Sequence, residues 1–407
     1  MFCEVITILI ARIFVWLILL IVLPDLYLDW QYLRRHPRFT LKKRVLWWLP
    51  CIVMLVYTVA LASIKNFVPT DLRWLSAYLS LVGVIVMPKA VFAFCSAIGL
   101  WWARRHHLRV NRGNIIGAVG AVITVILFIY SITIGPRQFT VRHVDLTLKD
   151  LPKAFDGYRI VQFSDAHIGS FNHVMDHCLE RNIDSVIAAR PDMICFTGDL
   201  QNLQPGELQL HAKDLRRLAT FSKGRVPVIS VLGNHDYSYY VGGSEAHQRE
   251  VERQMVEMQK SLGWRLLRNE NMPIVRGRDT LWIAGEEWGE IPKAKRCPNR
   301  SDLRKTLRGI PKKAFTIVLQ HNPKMWDLHI LPESKAQLTL AGHTHAGQIE
   351  LFGLRPTMLS YKEDYGLYEN SGRYLYVSCG WSGAFPCRLG ATPEIVVITL
   401  HRGDSAQ

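Results

Sequence analysis

Carboxylates are nearly missing from the first part of the chain: residues 1–135 contain Glu4, Asp25, Asp29 and Asp71 and no other acid. Set against fourteen lysines and arginines, this places +10 of the chain's formal +15 in that part. The excess sits in loops between apolar runs, as in membrane-flanking loops. A nucleic-acid-binding domain carries its basic patch on the folded domain itself, so no nucleic-acid partner is expected. The eight cysteines include no Cys-x-x-Cys, which excludes the usual zinc ribbon. Cys379 and Cys387 allow a disulfide in an oxidising compartment, but solitary thiols are the simpler expectation. No internal repeat or low-complexity linker breaks the 407 residues, a length beyond one ordinary domain.

What is present in residues 1–135 is a set of long apolar runs. A helix crossing a bilayer needs about 20 mostly apolar residues, and residues 5–23, 45–64, 74–102 and 115–134 each fit. The third run is long enough to tilt or to bend at Pro88. The first lacks the basic start and small-residue cleavage site of a signal peptide. These runs predict an all-α transmembrane region over 1–135 and a separate domain over 136–407. Loop one carries Arg34, Arg35, Arg38, Lys42, Lys43 and Arg44, and loop three Arg104, Arg105, Arg109 and Arg112. Positive loops stay in the cytoplasm. The expectation is a multi-pass protein of the cell inner membrane, both termini outside and the large domain extracytoplasmic. Arg12 and Lys89 lie within apolar runs, where a charge invites a functional reading such as a lipid headgroup contact. The structural reading is that Arg12 snorkels and Lys89 faces the bundle at a Pro88 break. Trp47, Trp48, Trp101 and Trp102 mark span ends.

From residue 136 onward strands and helices alternate. Strands are predicted at 141–148 (an edge), 158–163, 193–197 and 226–232, with helices near 173–189, 207–221 and 245–262. Further strands follow at 280–284, 315–319, 337–340, 374–378 and 395–400. This order predicts a sheet sandwich flanked by helices. Five of these strands run straight into residues of metal-ligand type. They lead to Asp165-Ala166-His167, Gly198-Asp199, Gly233-Asn234-His235-Asp236, His321 and Gly342-His343-Thr344-His345. In open α/β sheets, ligands collect beyond the carboxyl ends of the strands.

The single signals differ in weight. Gly-Asp alone is common, Asp-x-His is weak, and a lone histidine after a strand is more often a packed core residue. Gly-Asn-His-Asp and Gly-His-x-His directly after apolar strands are far more specific. Asp199 is the candidate bridging carboxylate, since each of its oxygens can face a different ion. Asp165 and His167, two apart, can turn to one ion. His343 and His345 repeat that spacing on a loop where Gly342 permits unusual backbone angles. Asn234 offers a neutral amide oxygen, and His235 would point elsewhere, toward substrate. Imidazole and carboxylate without thiolate suit manganese, iron, zinc or cobalt, not a calcium cage. His173, His177, His211, His247 and His329 lack such contexts and read as surface or packing residues.

This constellation resembles the calcineurin-like metallophosphoesterase superfamily over roughly residues 140–400. The stretches His343-Thr344-His345-Ala346-Gly347-Gln348, Tyr376-Val377-Ser378-Cys379-Gly380-Trp381 and Pro393-Glu394-Ile395 are similar to its membrane-attached bacterial phosphodiesterase branch. That branch often has a single leader or anchor, and four predicted spans depart from it. The resemblance implies an α/β fold, a four-layer α/β/β/α sandwich, preceded here by the four-helix transmembrane region. It implies two divalent ions, one held by Asp165, His167, Asp199 and His345, the other by Asp199, Asn234, His321 and His343. His235 would be the catalytic, substrate-facing histidine, with Asp236 as its partner. Hydrolysis would proceed by in-line attack of a hydroxide held between the ions.

A catalytic head on four spans suggests a lipid-linked or otherwise membrane-associated phosphoester. A UDP-2,3-diacylglucosamine-type nucleotide-lipid is the alternative, and it would require a cytoplasmic active site. A non-catalytic sensing or binding module would show eroded ligand positions, and none is eroded. A transporter would need more polar spans. The basic residues Lys293, Lys295, Arg296, Arg300, Arg304, Lys305, Arg308, Lys312 and Lys313 form either a solvated face or a surface toward anionic headgroups. Tyr237, Tyr239 and Tyr240 either wall the pocket or pack.

Overall fold

The structure, a computed structural model, describes residues 2–64, 71–171, 175–241, 243–290 and 299–403, with side chains from Phe14 onward. Contacts divide the chain into Met1–Ser131 and Ile132–Gln407.

The first unit is helical: α1 (Phe2–Gln31), α2 (Leu41–Ala62), α3 (Leu72–Leu81), α4 (Met87–Arg105) and α5 (Gly113–Thr133). Among the described residues, four helices are long and apolar enough to cross a membrane: Phe14–Arg35, Leu41–Ala62, Leu72–Arg105 and Gly113–Arg137. α1 therefore continues beyond residue 23, the expected end, through Pro24. The expected bend at Pro88 takes another form. α3 and α4 join through a π turn at Val82–Val86, just ahead of the proline. Proline lacks the N–H and crowds the preceding turn, and a π turn accommodates such an interruption without ending the helix. Lys89 faces the bundle, with its Nζ 2.9 Å from the Asp25 carboxylate and 4.9 Å over the Trp47 ring. Asp29 binds Arg44 through two bonds, 2.6 and 2.7 Å. Asp25 and Asp29 of α1 are thus each paired with a base. Arg12 lies outside the residues whose side chains are described.

The second unit is built on two six-stranded sheets. Its strands are β1 (Thr140–Leu148), β2 (Tyr158–Phe163), β3 (Met193–Phe196), β4 (Val228–Ser230), β5 (Arg265–Leu266), β6 (Glu270–Arg276), β7 (Asp279–Gly285), β8 (Thr316–Leu319), β9 (Leu338–Ala341), β10 (Gly366–Asn370), β11 (Arg373–Val377) and β12 (Glu394–Arg402). The first sheet has the order β1-β12-β2-β3-β4-β5 and the second β10-β11-β9-β8-β7-β6. Alternation along each strand builds the layers. Ile160, Cys195 and Ile229 pack inward against Ile283, Ile317 and Leu340 of the other sheet. Phe163, Ile194 and Phe196 face outward onto α6 (Asp176–Ala188), α7 (Ala212–Thr220) and α8 (Glu245–Ser261), meeting Leu179, Leu215 and Met255. Val318 and Leu375 turn outward onto Leu303, Trp326 and Ile330. The α/β/β/α sandwich is confirmed.

Three strands were not foreseen: β5, β6 and β10. β5 is two residues long, while β6 and β10 are the edges of the second sheet. Edge strands need only one apolar face, and β6 tolerates Pro273 because an edge leaves one row of N–H groups unpaired. The expected helix 207–221 divides into a 3₁₀ turn, Pro205–Leu208, and α7.

Candidate metal centre

β2, β3 and β4 are parallel neighbours in the first sheet, and β8 and β9 in the second. Their carboxyl ends deliver all the residues expected from the sequence to bind metal or act in catalysis. Ligand atoms of Asp165, His167, Asp199 and His345 lie within 4.8 Å of one another, as do those of Asp199, His321 and His343. Asp199 belongs to both groups. Its Oδ2 is 3.2 Å from His321 Nε2 and 3.7 Å from His167 Nε2. His345 Nε2 is 3.4 Å from Asp165 Oδ1.

The backbone is bent to achieve this. Asp165, His167, Asp199, His343 and His345 all have positive φ, between 44° and 75°. Each such residue costs about 1–3 kcal/mol and persists only where its surroundings enforce it. The role expected for Gly342 is corrected: the histidines after it take the left-handed angles. A Cβ on Gly342 would lie 1.9 Å from Ser164 Oγ and 2.3 Å from Asp165 Oδ2. Glycine is needed there because β9's loop passes against Asp165.

The donors fit a divalent cation. Both ring nitrogens of His167, Nε2 of His321 and Oδ1 of Asn234 are buried without a hydrogen-bond partner. Buried polar atoms left unmatched cost about 1–3 kcal/mol each, and divalent cations at the two groups would satisfy one ring nitrogen of His167, Nε2 of His321 and Oδ1 of Asn234. Burial lowers His167 to about 3 and holds His343 and His345 well below the usual imidazole range, so their lone pairs are free. Burial also raises Asp165 to about 6. Asp199 stays ionised despite its burial because His321 and His235 stand beside it. His321 is lifted to about 9, burial being outweighed by Asp199 and Asp165.

The far nitrogens are tied down, which fixes which one faces inward. His321 Nδ1 is 2.6 Å from the Thr197 carbonyl, His345 Nδ1 is 2.9 Å from the Ser382 carbonyl, and His343 Nε2 is 2.9 Å from the Tyr361 hydroxyl. Arg388, 1% exposed, donates to the carbonyls of Cys379, Ser382 and His345. Asn234 donates its amide N–H to Tyr240 (3.0 Å), and its Oδ1 stays unbonded and buried.

His235 stands beside these groups and belongs to neither. Its Nδ1 is 2.6 Å from the Asn202 carbonyl, and its ring lies 4.7 Å from His167 and 4.5 Å from Tyr240. The expected pairing of His235 with Asp236 is corrected. The Asp236 carboxylate accepts four backbone N–H groups, from Asp199, Leu200, Gln201 and Gly233, at 2.8 to 3.3 Å. It staples the ends of β3 and β4 together. Burial and neighbouring Asp199 push it up to about 7, against the pull of those N–H groups.

Other expectations resolve similarly. Tyr240 reaches the site, whereas Tyr237 is buried and stacks on Tyr239. Arg300 is bound to Glu252 by two bonds, 2.6 and 2.8 Å. Arg304, Lys305, Arg308, Lys312 and Lys313 are solvated, and Lys293, Lys295 and Arg296 lie outside the described residues, as does His173. Cys379 and Cys387 do not form a disulfide. Asn202, Tyr361, Ser382 and Arg388 were missed. They act through carbonyls, a hydroxyl and a buried guanidinium in loops, and no spacing announces them.

Known proteins match both units. The calcineurin-like phosphoesterase family model matches residues 158–347, and a calcineurin-like phosphoesterase transmembrane domain (4TM phosphoesterase) matches residues 11–136. YkuE of Bacillus subtilis, an uncharacterized metallophosphoesterase, is 30% identical over 73% of this chain and 97% of its own length. A zebrafish (Danio rerio) transmembrane protein with metallophosphoesterase domain is 28% identical over 82% of this chain and 76% of its own. The UDP-2,3-diacylglucosamine pyrophosphatase LpxG of Chlamydia muridarum is 26% identical over 67% of this chain and 93% of its own.

Proposed function

The chain belongs to the calcineurin-like phosphoesterase family and carries a four-helix membrane region, and on that premise we propose that it is a two-metal phosphodiesterase hydrolysing a lipid-linked or otherwise membrane-associated phosphoester. Asp165, His167, Asp199 and His345 would hold one ion, and Asp199, Asn234, His321 and His343 the other. Manganese, iron or zinc suits these donors. Bound there, the pair supplies Lewis-acid neutralisation of the phosphoryl oxygens and a water acidic enough to attack near neutral pH.

The observation that carries the reading is the place of Asp199, shared between both donor groups. A carboxylate used twice is what sets two cations side by side. His235 does the protein's own proton work. With Nδ1 committed to the Asn202 carbonyl, Nε2 is the nitrogen left for the substrate, where it protonates the leaving oxygen. Tyr240 packs on the imidazole and holds its plane. Asp236 contributes by positioning, through the β3 and β4 loops. The catalytic domain lies outside the cytoplasm, at the inner membrane, by the loop-charge argument. A second reading, cleavage of a UDP-2,3-diacylglucosamine-type pyrophosphate, is favoured by the match to the Chlamydia muridarum enzyme and needs the opposite orientation.

The test uses purified full-length protein loaded with manganese, assayed on bis-p-nitrophenyl phosphate and p-nitrophenyl phosphate, with metal content measured alongside. The diester is expected to turn over and the monoester not; the reverse preference removes the diesterase reading. His235→Ala should keep its metal and lose about 10²–10⁴-fold in turnover. Asp199→Ala should lose metal and activity together, and full turnover in that variant would end the two-ion arrangement.

A further inference from the structure

Shortly after His345 the surface carries apolar groups that a soluble domain would bury. Leu351, Phe352, Leu354, Met358 and Leu359 are all exposed, Phe352 completely and Leu359 at 92%. Leu351 and Leu354 exchange two backbone bonds, 3.0 and 2.9 Å, closing a two-residue hairpin with Phe352-Gly353 at its tip. Both tip residues have positive φ, 53° and 78°. Asn and Gly are the usual residues at such a tip. A phenylalanine placed there takes a costly backbone angle and gains no burial within the domain.

The base of this element is rigid. Arg355 binds Asp364 at 2.7 and 3.1 Å and Glu350 at 3.1 Å, and the Thr357 hydroxyl adds a bond of 2.8 Å to Asp364. The Asp364 carbonyl accepts from Thr344, inside the His343-Thr344-His345 loop. A 3₁₀ turn, Pro356–Leu359, carries Met358 and Leu359, and Tyr361 beyond it reaches His343. A stiff apolar element is therefore braced directly against the metal-centre loop.

Contiguous exposed apolar surface marks an interaction site, and three observations choose its occupant. The tip is convex, so a second protein would need a matching pocket, whereas fluid acyl chains need none. Residues 351–362 contain no acid to oppose an anionic surface, and their two bases are neutralised in place, Arg355 by Asp364 and Glu350 and Lys362 by Asp327. The same chain carries four helices of membrane-spanning length, so a bilayer is the apolar phase to which it is permanently attached. We propose that the hairpin and the Pro356–Leu359 turn form a wedge that enters the headgroup–acyl boundary, so that the metal centre draws its phosphoester from a bilayer lipid. This rests on the membrane-phosphoester reading above and adds the surface that would present such a substrate.

The test places the photo-crosslinker p-benzoylphenylalanine at position 352, and separately at 359 and at Gly206, in full-length protein. Each variant is reconstituted in nanodiscs of phosphatidylethanolamine and phosphatidylglycerol and irradiated. Gly206 is the reference because it is exposed and a side chain there would meet nothing within 4 Å. The expected result is a mass shift of one phospholipid on the 352 and 359 variants and none at 206. Absence of a lipid adduct at 352 and 359, a cross-linked dimer, or an equal yield at 206 would each overturn the wedge. Hydrolysis of soluble bis-p-nitrophenyl phosphate by the same samples reports separately on the phosphodiesterase reading.

Discussion

His345 and Arg388 share one acceptor, the backbone carbonyl of Ser382. The guanidinium is buried and also takes the carbonyls of Cys379 and Ala391. It thereby fixes the loop that fixes the His345 ring. Arg388→Ala would take this donor from the Cys379 and Ala391 carbonyls and leave Ser382 with His345 alone, and about 3 kcal/mol of stability should be lost. Metal affinity should fall roughly 10–100-fold as the ring loses its brace. Thermal melting and metal content of the purified variant check both, and wild-type values for both would show that the clamp does nothing.

The pairing of His321 with Asp199 sets a pH dependence. In metal-free protein His321 is raised to about 9, above its unfolded value of about 6.5. The stability this pair contributes is complete below about 6.5 and is lost as pH rises through 9. Metal binding runs the other way, because the proton on His321 must leave. Apparent metal affinity should weaken below pH 9, by up to about tenfold per pH unit from this one group. Metal titration calorimetry in buffers of different ionisation enthalpy should register a proton released at pH 7. A pH-independent affinity would show that His321 is no ligand.

Lys89 and Asp25 form a charge pair inside an apolar bundle. Removing one partner leaves the other ionised and unpaired, at a cost of about 3–5 kcal/mol. Lys89→Met should therefore melt well below wild type in detergent, and Asp25→Asn added to it should recover most of the loss. If the double variant is no more stable than the single, the pair has another purpose.

Orientation can be read at Gly206, which is exposed and spacious. Gly206→Cys should react with a membrane-impermeant maleimide in intact spheroplasts, given the excess of Arg and Lys in loops one and three. Protection until the membrane is opened would invert the topology and favour the nucleotide-lipid substrate.

Residues that act through their type and their distance from a strand end could be read in advance. Asp165, His167, Asp199, Asn234, His321, His343 and His345 all follow short apolar strands, and two parallel sheet segments bring those ends together. Lys89 was legible as a bundle-facing charge, though its partner Asp25 was not, since helical packing across 64 positions leaves no local trace. The resemblance implied Asp236 as the side-chain partner of His235, whereas its carboxylate serves backbone N–H groups. Tyr361, Asn202 and Ser382 were invisible because what each contributes is a hydroxyl or a main-chain carbonyl. β6 and β10 were missed as edge strands with weak alternation.

The left-handed residues around Asp199 have one last consequence. Glycine or asparagine would occupy those backbone angles with less strain than aspartate or histidine, so a chain freed from its chemistry could fold more securely by discarding these donors. Inactive variants such as His343→Gly should then prove more heat-resistant than the metal-free parent, and the cation would be the tenant that keeps a costly set of angles in use.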